Sequence, residues 1–280
     1  MKREDLEKGK RMDKVEIESI GELAERLISM SRPWVYRGQI NSTWHLEPSI
    51  SRAVPIGFGS GEIHQIEKDL RHKFESTALH YSTRADLPQS DFGWLALMQH
   101  HGAPTRLLDF TESPFTALFF AMDGVDPYDE KFSSIIAIDY RQLNQKSLEL
   151  AGKSIMDFGW DYRRLQLNGD SFFTEIVYRY VSNQLWVLEP AIKSRRILQQ
   201  MGTFLIKGDI SIPTNKTIET IYEKIPMKEF IIPHSLLTEA FDLLFKCGIS
   251  YYGIYPGLEG LGKDVNLTLL QSLRRALAKK

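Results

Sequence analysis

The sequence predicts a mixed α+β fold, and three observations carry that expectation. Helical and extended patterns alternate irregularly instead of in regular βαβ units. No internal repeat or low-complexity linker interrupts them. A chain of 280 residues with 42% hydrophobic content is long and apolar enough to bury a sizeable core, as one large domain or as one domain with an appended lobe.

The elements follow in order. Residues 1–14 (MKREDLEKGKRMDK) form a charged leader with no core pattern. Ser19–Met30 reads as a helix capped by Ser19, with Ile20, Leu23, Leu27 and Ile28 on one face. Pro33 ends it, and WVYRG reads as a short strand. Glu62–Tyr81 is an amphipathic helix through Ile63, Ile66, Leu70, Phe74 and Leu79. Asp91–His101 is a second, with Asp91 as cap, Trp94, Leu95 and Met98 as its apolar face, and Gly102 as its stop. Thr105–Phe110 is extended. Ser113-Pro114 then opens a helix whose run to Ala121 is almost wholly apolar, hence buried. Ser134–Asp139 (SIIAID) reads as an internal strand.

Beyond it the pattern weakens. Ser171–Trp186 is aromatic-rich and reads as helical, and Val187–Pro190 as extended. Ser194–Gln200 leads through Gly202 into a strand at Thr203–Ile206, and Lys228–Pro233 is another strand. Ser235–Lys246 reads as a helix capped by Ser235, Tyr251–Tyr255 as extended, and Gly257–Gly262 as a glycine turn. Val265–Lys279 is a closing helix with basic residues in its last turn.

Composition narrows the function classes. The net charge of −1 gives no global basic field of the kind that nucleic-acid binders use. A single cysteine, Cys247, excludes an internal disulfide and a cysteine-based zinc cage, and its apolar setting (LLFKCGI) reads as a buried thiol in a reducing compartment. The charged N-terminus does not read as a signal peptide, and no run approaches the roughly 18–20 apolar residues of a membrane span. The expectation is a cytoplasmic protein with no membrane partner. No GxSxG, GxGxxG, HExxH or P-loop is present, nor an HxH or HxxxH pair to hold a metal.

Two segments are polar beyond what a loop needs or a core tolerates without partners: WVYRGQ and MQHHGAPTRLLDFT. Arg37 sits in an apolar strand, so it must reach either a carboxylate, with Asp109 available, or an anionic ligand. Gly38 beside it lets another segment or a ligand approach closely. His100 and His101 precede a turn, where imidazoles titrate or donate to phosphate, and adjacent positions point them in different directions. Arg106 and Asp109 could pair to stiffen the strand or act directly. In Arg195–Thr203 (RRILQQMGT), Gln199, Gln200 and Gly202 lie at a helix–strand junction, with Glu189 the nearest carboxylate upstream.

Tyr36-Arg37-Gly38, the run Gln99–Thr111 (QHHGAPTRLLDFT), Arg196-Ile197 with Gln200, Gly202 and Phe204, and the Tyr255–Gly260 turn (YPGLEG) together resemble the FRG domain, a family named for its (F/Y)-R-G motif. The resemblance runs from about residue 15 to 262 and implies a single domain over residues 15–280. Because such domains are common in bacteria and phage-related loci beside defence or toxin-like genes, it implies an anti-phage or toxin-like effector with a partner protein from the same locus. The motif order also resembles, more distantly, the ADP-ribosyltransferase fold. That likeness implies a mostly antiparallel central sheet surrounded by helices, NAD as cofactor, and a nucleic-acid or protein acceptor.

On that resemblance Arg37 holds the NAD pyrophosphate or ribose, and Thr105 or Thr111 supports the nicotinamide side. Tyr36, Gly38, Gln99, His101 and Arg106 complete the binding set, and His100, Asp109 and Gln200 join Arg37 as catalytic residues, with no metal. The chain departs from the transferase pattern where a glutamate is expected, because Gln199, Gln200 and Gly202 stand there and a glutamine amide does not ionise. A transferase would then need Glu189, Glu175 or Asp109, or would act by orientation and electrostatics. The alternative is a non-catalytic module that senses a nucleotide or phage component.

Overall fold

Strand alternation explains the architecture of the computed structural model, which describes residues 12–31, 33–55, 57–83, 87–156, 159–180 and 182–277. Seven strands form one sheet in the order β1-β7-β4-β2-β3-β6-β5. They are β1 (Asp13–Glu16), β2 (Trp34–Gln39), β3 (Leu107–Thr111), β4 (Phe132–Asp139), β5 (Leu185–Leu188), β6 (Gly202–Lys207) and β7 (Met227–Pro233). Only β1 and β7 pair in parallel; every other neighbouring pair is antiparallel, so the fold is the expected α+β type with a mostly antiparallel sheet.

Successive side chains on a strand point to opposite faces, and the cores divide accordingly. Val35, Leu108, Phe110, Ile136, Ile138, Val187 and Leu205 share one continuous core on one face, covered by α6 (Tyr140–Met156) and α10 (Thr214–Ile221). The other face carries two cores. Tyr36, Ile135, Ala137, Phe230 and Ile232 pack under α1 (Ile20–Ser29), α5 (Pro114–Met122), α11 (Leu237–Lys246) and α12 (Tyr251–Ile254). Leu107, Trp186, Leu188, Phe204 and Ile206 pack under α4 (Asp91–His100), α8 (Gly169–Phe172) and the π turn Phe173–Val177.

The seam between these two cores falls above β2 and β3, where the sheet is weakest. There β2 pairs β4 over six residues but meets β3 at one bridge, Tyr36 opposite Thr111. The remaining helices are α2 (Ser49–Ala53), α3 (Ser60–Ala78), α7 (Tyr162–Leu167), α9 (Arg195–Gln199) and α13 (Leu258–Leu277).

Several expectations are corrected. The charged leader ends earlier than residue 14: residues 1–11 lie outside the described residues, Asp13 and Lys14 belong to β1, and Lys14 pairs Glu229 at 2.8 Å. Ile28 is 70% exposed, because α1 buries only Ile20, Leu23 and Leu27. Ser90, not Asp91, caps α4 by accepting from Gly93 N–H, which frees Asp91 to pair with Arg71. Ser235 lies in a 3₁₀ turn (His234–Leu236) and makes no cap. Leu185 and Trp186, expected in a helix, open β5, which ends at Leu188. Tyr251–Ile254 is helical, capped by Ser250. Only Gly257 of the glycine turn needs a left-handed φ (79°). Helix α13 starts at Leu258, and a Cβ on Gly260 would lie 2.3 Å from the Tyr255 carbonyl, so that glycine serves helix packing. Cys247 is exposed at the end of α11, which turns its apolar face away from it.

Candidate functional site

A cavity of about 310 Å³ opens at the seam. Tyr36 and Phe120 line it from one core and Ala96, Ile197 and Phe204 from the other. Its polar groups come from β2 (Arg37, Gln39), α4 (Gln99, His100), β3 (Asp109, Thr111) and the α9–β6 junction (Arg196, Gln200).

Arg37 fills the wedge where β2 and β3 part. Its Nη1 donates to the Asp109 main-chain carbonyl at 2.7 Å, taking an acceptor that a paired strand would have used, and its Nε reaches Gln39 Oε1 at 3.4 Å. Among the described residues no carboxylate lies within ion-pair distance of its guanidinium, so the expected alternative of an Arg37–Asp109 ion pair is not what holds it. Burial lowers the Arg37 pKa, the nearby Asp109 carboxylate opposes that and Arg52 adds to it, yet a guanidinium remains charged at neutral pH.

Asp109 is oriented by a short relay. Thr105 Oγ1 donates to Gln99 Oε1 at 2.7 Å, which turns the Gln99 amide so that Nε2 donates to Asp109 Oδ2 at 2.8 Å. Thr105 itself is fully buried and acts behind the wall, tied to Ser49. His100 lines the cavity, and its Nδ1 is buried without a hydrogen-bond partner. Burial lowers its pKa first, and Arg196 and His101 add to this against Glu259 and Asp109, so its ring is neutral at pH 7.

On the opposite wall, the Arg196 guanidinium lies 5.1 Å from the Tyr255 ring, also with no carboxylate partner among the described residues. Tyr255 is fixed by a 2.7 Å bond from its hydroxyl to Asp123, which also accepts from Tyr251. Thr111 Oγ1 donates to the Gln200 carbonyl at 2.6 Å and so ties β3 to the α9–β6 turn. That turn carries Met201 at φ 46°, the one non-glycine residue in the left-handed region among those described.

The structure therefore brings Tyr36, Arg37, Gly38, Gln99, His100, Asp109, Thr111 and Gln200 to one cavity. Three expected members lie elsewhere. Thr105 is behind Gln99. His101 is exposed at the end of α4, outside the lining, with its ring 4.8 Å from that of His100 and 6.3 Å from Phe74. Arg106 is buried under α3, where its Nε meets Glu67 Oε2 at 2.6 Å, its Nη2 donates to His64 Nδ1 at 2.7 Å and its guanidinium sits 5.1 Å from the Tyr178 ring. Arg106 thus pairs Glu67 and not Asp109. Gly38 touches the cavity, but its small size serves α5: a Cβ there would stand 2.0 Å from the Ala117 carbonyl oxygen. Neither spare glutamate reaches the site, since Glu189 pairs Lys193 at 2.6 Å beside another cavity and Glu175 accepts from Trp160 at 3.2 Å.

Sequence reading missed Gln39, Trp44 and Arg196 as cavity residues. Arg196 belonged to the motif matched to the family but was given no role in the site; Trp44 gave no periodic signal at all. Among the described residues, no three His, Cys, Asp or Glu side chains gather to hold a metal, and no helix is long and apolar enough to cross a membrane. Residues 32–130 match the family model of the FRG domain, a stretch that contains Arg37, His100 and Asp109 and ends before Arg196. Among curated proteins and solved structures, none matches this chain significantly.

Proposed function

We propose that the cavity binds a nucleotide, with NAD as the ligand, and serves ADP-ribosyl transfer or NAD hydrolysis. One observation carries the reading: Arg37 presents a charged guanidinium, fixed on a strand carbonyl and with no ion-pair partner among the described residues, inside an aromatic-walled cavity. Such a group is matched to phosphate, and the flat walls of Tyr36, Phe110, Phe120 and Phe204 suit a base or nicotinamide ring. With Arg196 opposite and Asp109 the one carboxylate on the lining among the described residues, the site favours an anion.

The chemistry follows from the same residues. In the reaction, the C1′–N bond of NAD breaks and its electron pair leaves with nicotinamide, while water or an acceptor atom bonds C1′ and releases a proton. Asp109, held by Gln99, stabilises positive charge developing at the ribose, and neutral His100 is able to take the proton. The test is twofold: calorimetry with NAD, and mass spectrometry of cellular protein and nucleic acid after expression of wild type or Arg37→Ala. Added ADP-ribose or released nicotinamide that vanishes in Arg37→Ala is the expected result. Intact NAD and no binding would overturn the reading.

A second reading, a nucleotide-sensing module without turnover, is favoured by one specific feature: among the described residues no glutamate lines the cavity. It predicts Arg37-dependent NAD binding with NAD recovered intact.

A further inference from the structure

A second cavity, of about 320 Å³, lies beyond Trp44. Trp44 lines both spaces and is 49% exposed, so this one residue belongs to the wall of each. The floor of the second cavity is Leu46, Ile136 and Ile218. Strand register places Arg37 directly opposite Ile136, so the anion arm of the first cavity and the floor of the second are cross-strand neighbours. Gln39 couples them further: its Oε1 accepts from Arg37 Nε at 3.4 Å, and its Nε2 donates to the Trp44 carbonyl at 3.1 Å.

We infer that the two cavities are halves of one site for a dinucleotide, two nucleosides joined by a pyrophosphate. The pyrophosphate lies at Arg37, one nucleoside fills each cavity, and the base of the second stacks on Trp44. This rests on the nucleotide reading above and deepens it. The two volumes are nearly equal and sit at the lower end of the roughly 300–1,000 Å³ range of ligand cavities, so each suits one nucleoside unit better than the whole ligand. Their charges also differ. The first cavity offers two arginines against one carboxylate, whereas the second sets Glu219 and Glu229 against Lys14. A phosphate belongs in the first. The second favours a neutral base, whose face meets the apolar floor and Trp44 and whose amino group donates to acceptors at the rim.

Calorimetry of the wild-type chain with NAD, AMP and NMN tests this. NAD is expected to bind at least tenfold more tightly than the better of the two mononucleotides. Ser42 lines only the second cavity, so Ser42→Trp, at an unchanged melting temperature, is expected to lower NAD affinity at least tenfold and to leave the mononucleotide of the first cavity unaffected. NAD binding no tighter than a mononucleotide in an Arg37-dependent manner would overturn the two-cavity assignment alone. So would a folded Ser42→Trp protein with wild-type NAD affinity. Absence of binding by all three ligands would overturn the nucleotide reading itself. The wild-type comparison needs no variant, so a misfolded Ser42→Trp cannot shield the inference.

Discussion

Arg37 and Arg106 lie on neighbouring strands or strand ends of the same sheet, and both were read as ligand contacts, yet their surroundings are opposite. Arg106 is 1% exposed and has a partner on every side: the Glu67 carboxylate, His64, the Gly208 carbonyl and the face of Tyr178. Arg37 has one main-chain carbonyl, one long amide contact and an open cavity. A buried guanidinium that is saturated is a structural tie, and one left unsaturated beside a cavity is a receptor. The difference comes from what faces each residue. Helix α3 sends Glu67 to Arg106, and the parting of β2 from β3 leaves Arg37 without a carboxylate partner among the described residues.

The comparison breaks most visibly at Arg106. Removing its partner in Glu67→Ala leaves a buried, uncompensated charge, and we expect a loss of about 3–5 kcal/mol in unfolding free energy. Denaturant melts measure it, and nucleotide affinity should be near normal in the fraction that remains folded. An unfolding free energy within 1 kcal/mol of wild type, by the same scale, would show that Arg106 is not a structural tie. Next comes Gly38→Ala, beside Arg37. Its new Cβ meets backbone on two sides, the Ala117 oxygen and the Ala121 nitrogen, so α5 must shift, at a cost of about 1–3 kcal/mol. Because the substitution also moves a cavity wall, it should reduce stability and affinity together.

Arg37→Ala should separate them. It deletes the hydrogen bond to the Asp109 carbonyl, worth about 0.5–1.5 kcal/mol, and the longer, weaker one to Gln39, so the melt changes little. A lost charge-assisted contact to phosphate is worth about 1.5–3 kcal/mol, roughly ten- to a hundredfold in affinity. Calorimetry on a protein whose melting curve matches wild type checks both halves at once.

How much of this was legible follows from the same pair of residues. The α+β class was legible, because strands such as Ser134–Asp139 and helices such as Pro114–Met122 announce themselves by local apolar pattern. The convergence of Arg37, His100, Asp109 and Gln200 on one cavity was legible in part, since polar groups in an apolar setting need partners, but the same strings also hold Thr105 and Arg106, whose roles are structural. The fate of Arg106 was not. Its partner Glu67 lies 39 residues away on a helix whose apolar face, read through Ile63, Ile66 and Leu70, does not include it. Burial of one glutamate on a charged helix leaves no periodic trace. Helix α6 was missed for a related reason: buried Asn144 and Ser147 bond to the β5 backbone and to Tyr222, which puts polar residues on its inner face. Helix α12 was missed because its four residues, including a glycine, are too few to show a period.

The smallest effect sharpens the structural side of the comparison through pH. His64 accepts the Arg106 Nη2 hydrogen on Nδ1, and burial, Arg106, Lys68 and Arg71 together push its pKa down to about 4. In the unfolded chain the same ring titrates near 6.5. Between those values the unfolded state binds more protons than the folded one, so folding stability falls as pH drops from about 6.5 to about 4 and is flat above that window. His64→Gln, which keeps an acceptor for Arg106 but does not titrate, should flatten that part of the stability profile. Arg37→Ala should leave the slope as it is. Equal slopes in wild type and His64→Gln would place the acid sensitivity elsewhere and remove His64 from the group of partners that makes Arg106 a structural residue.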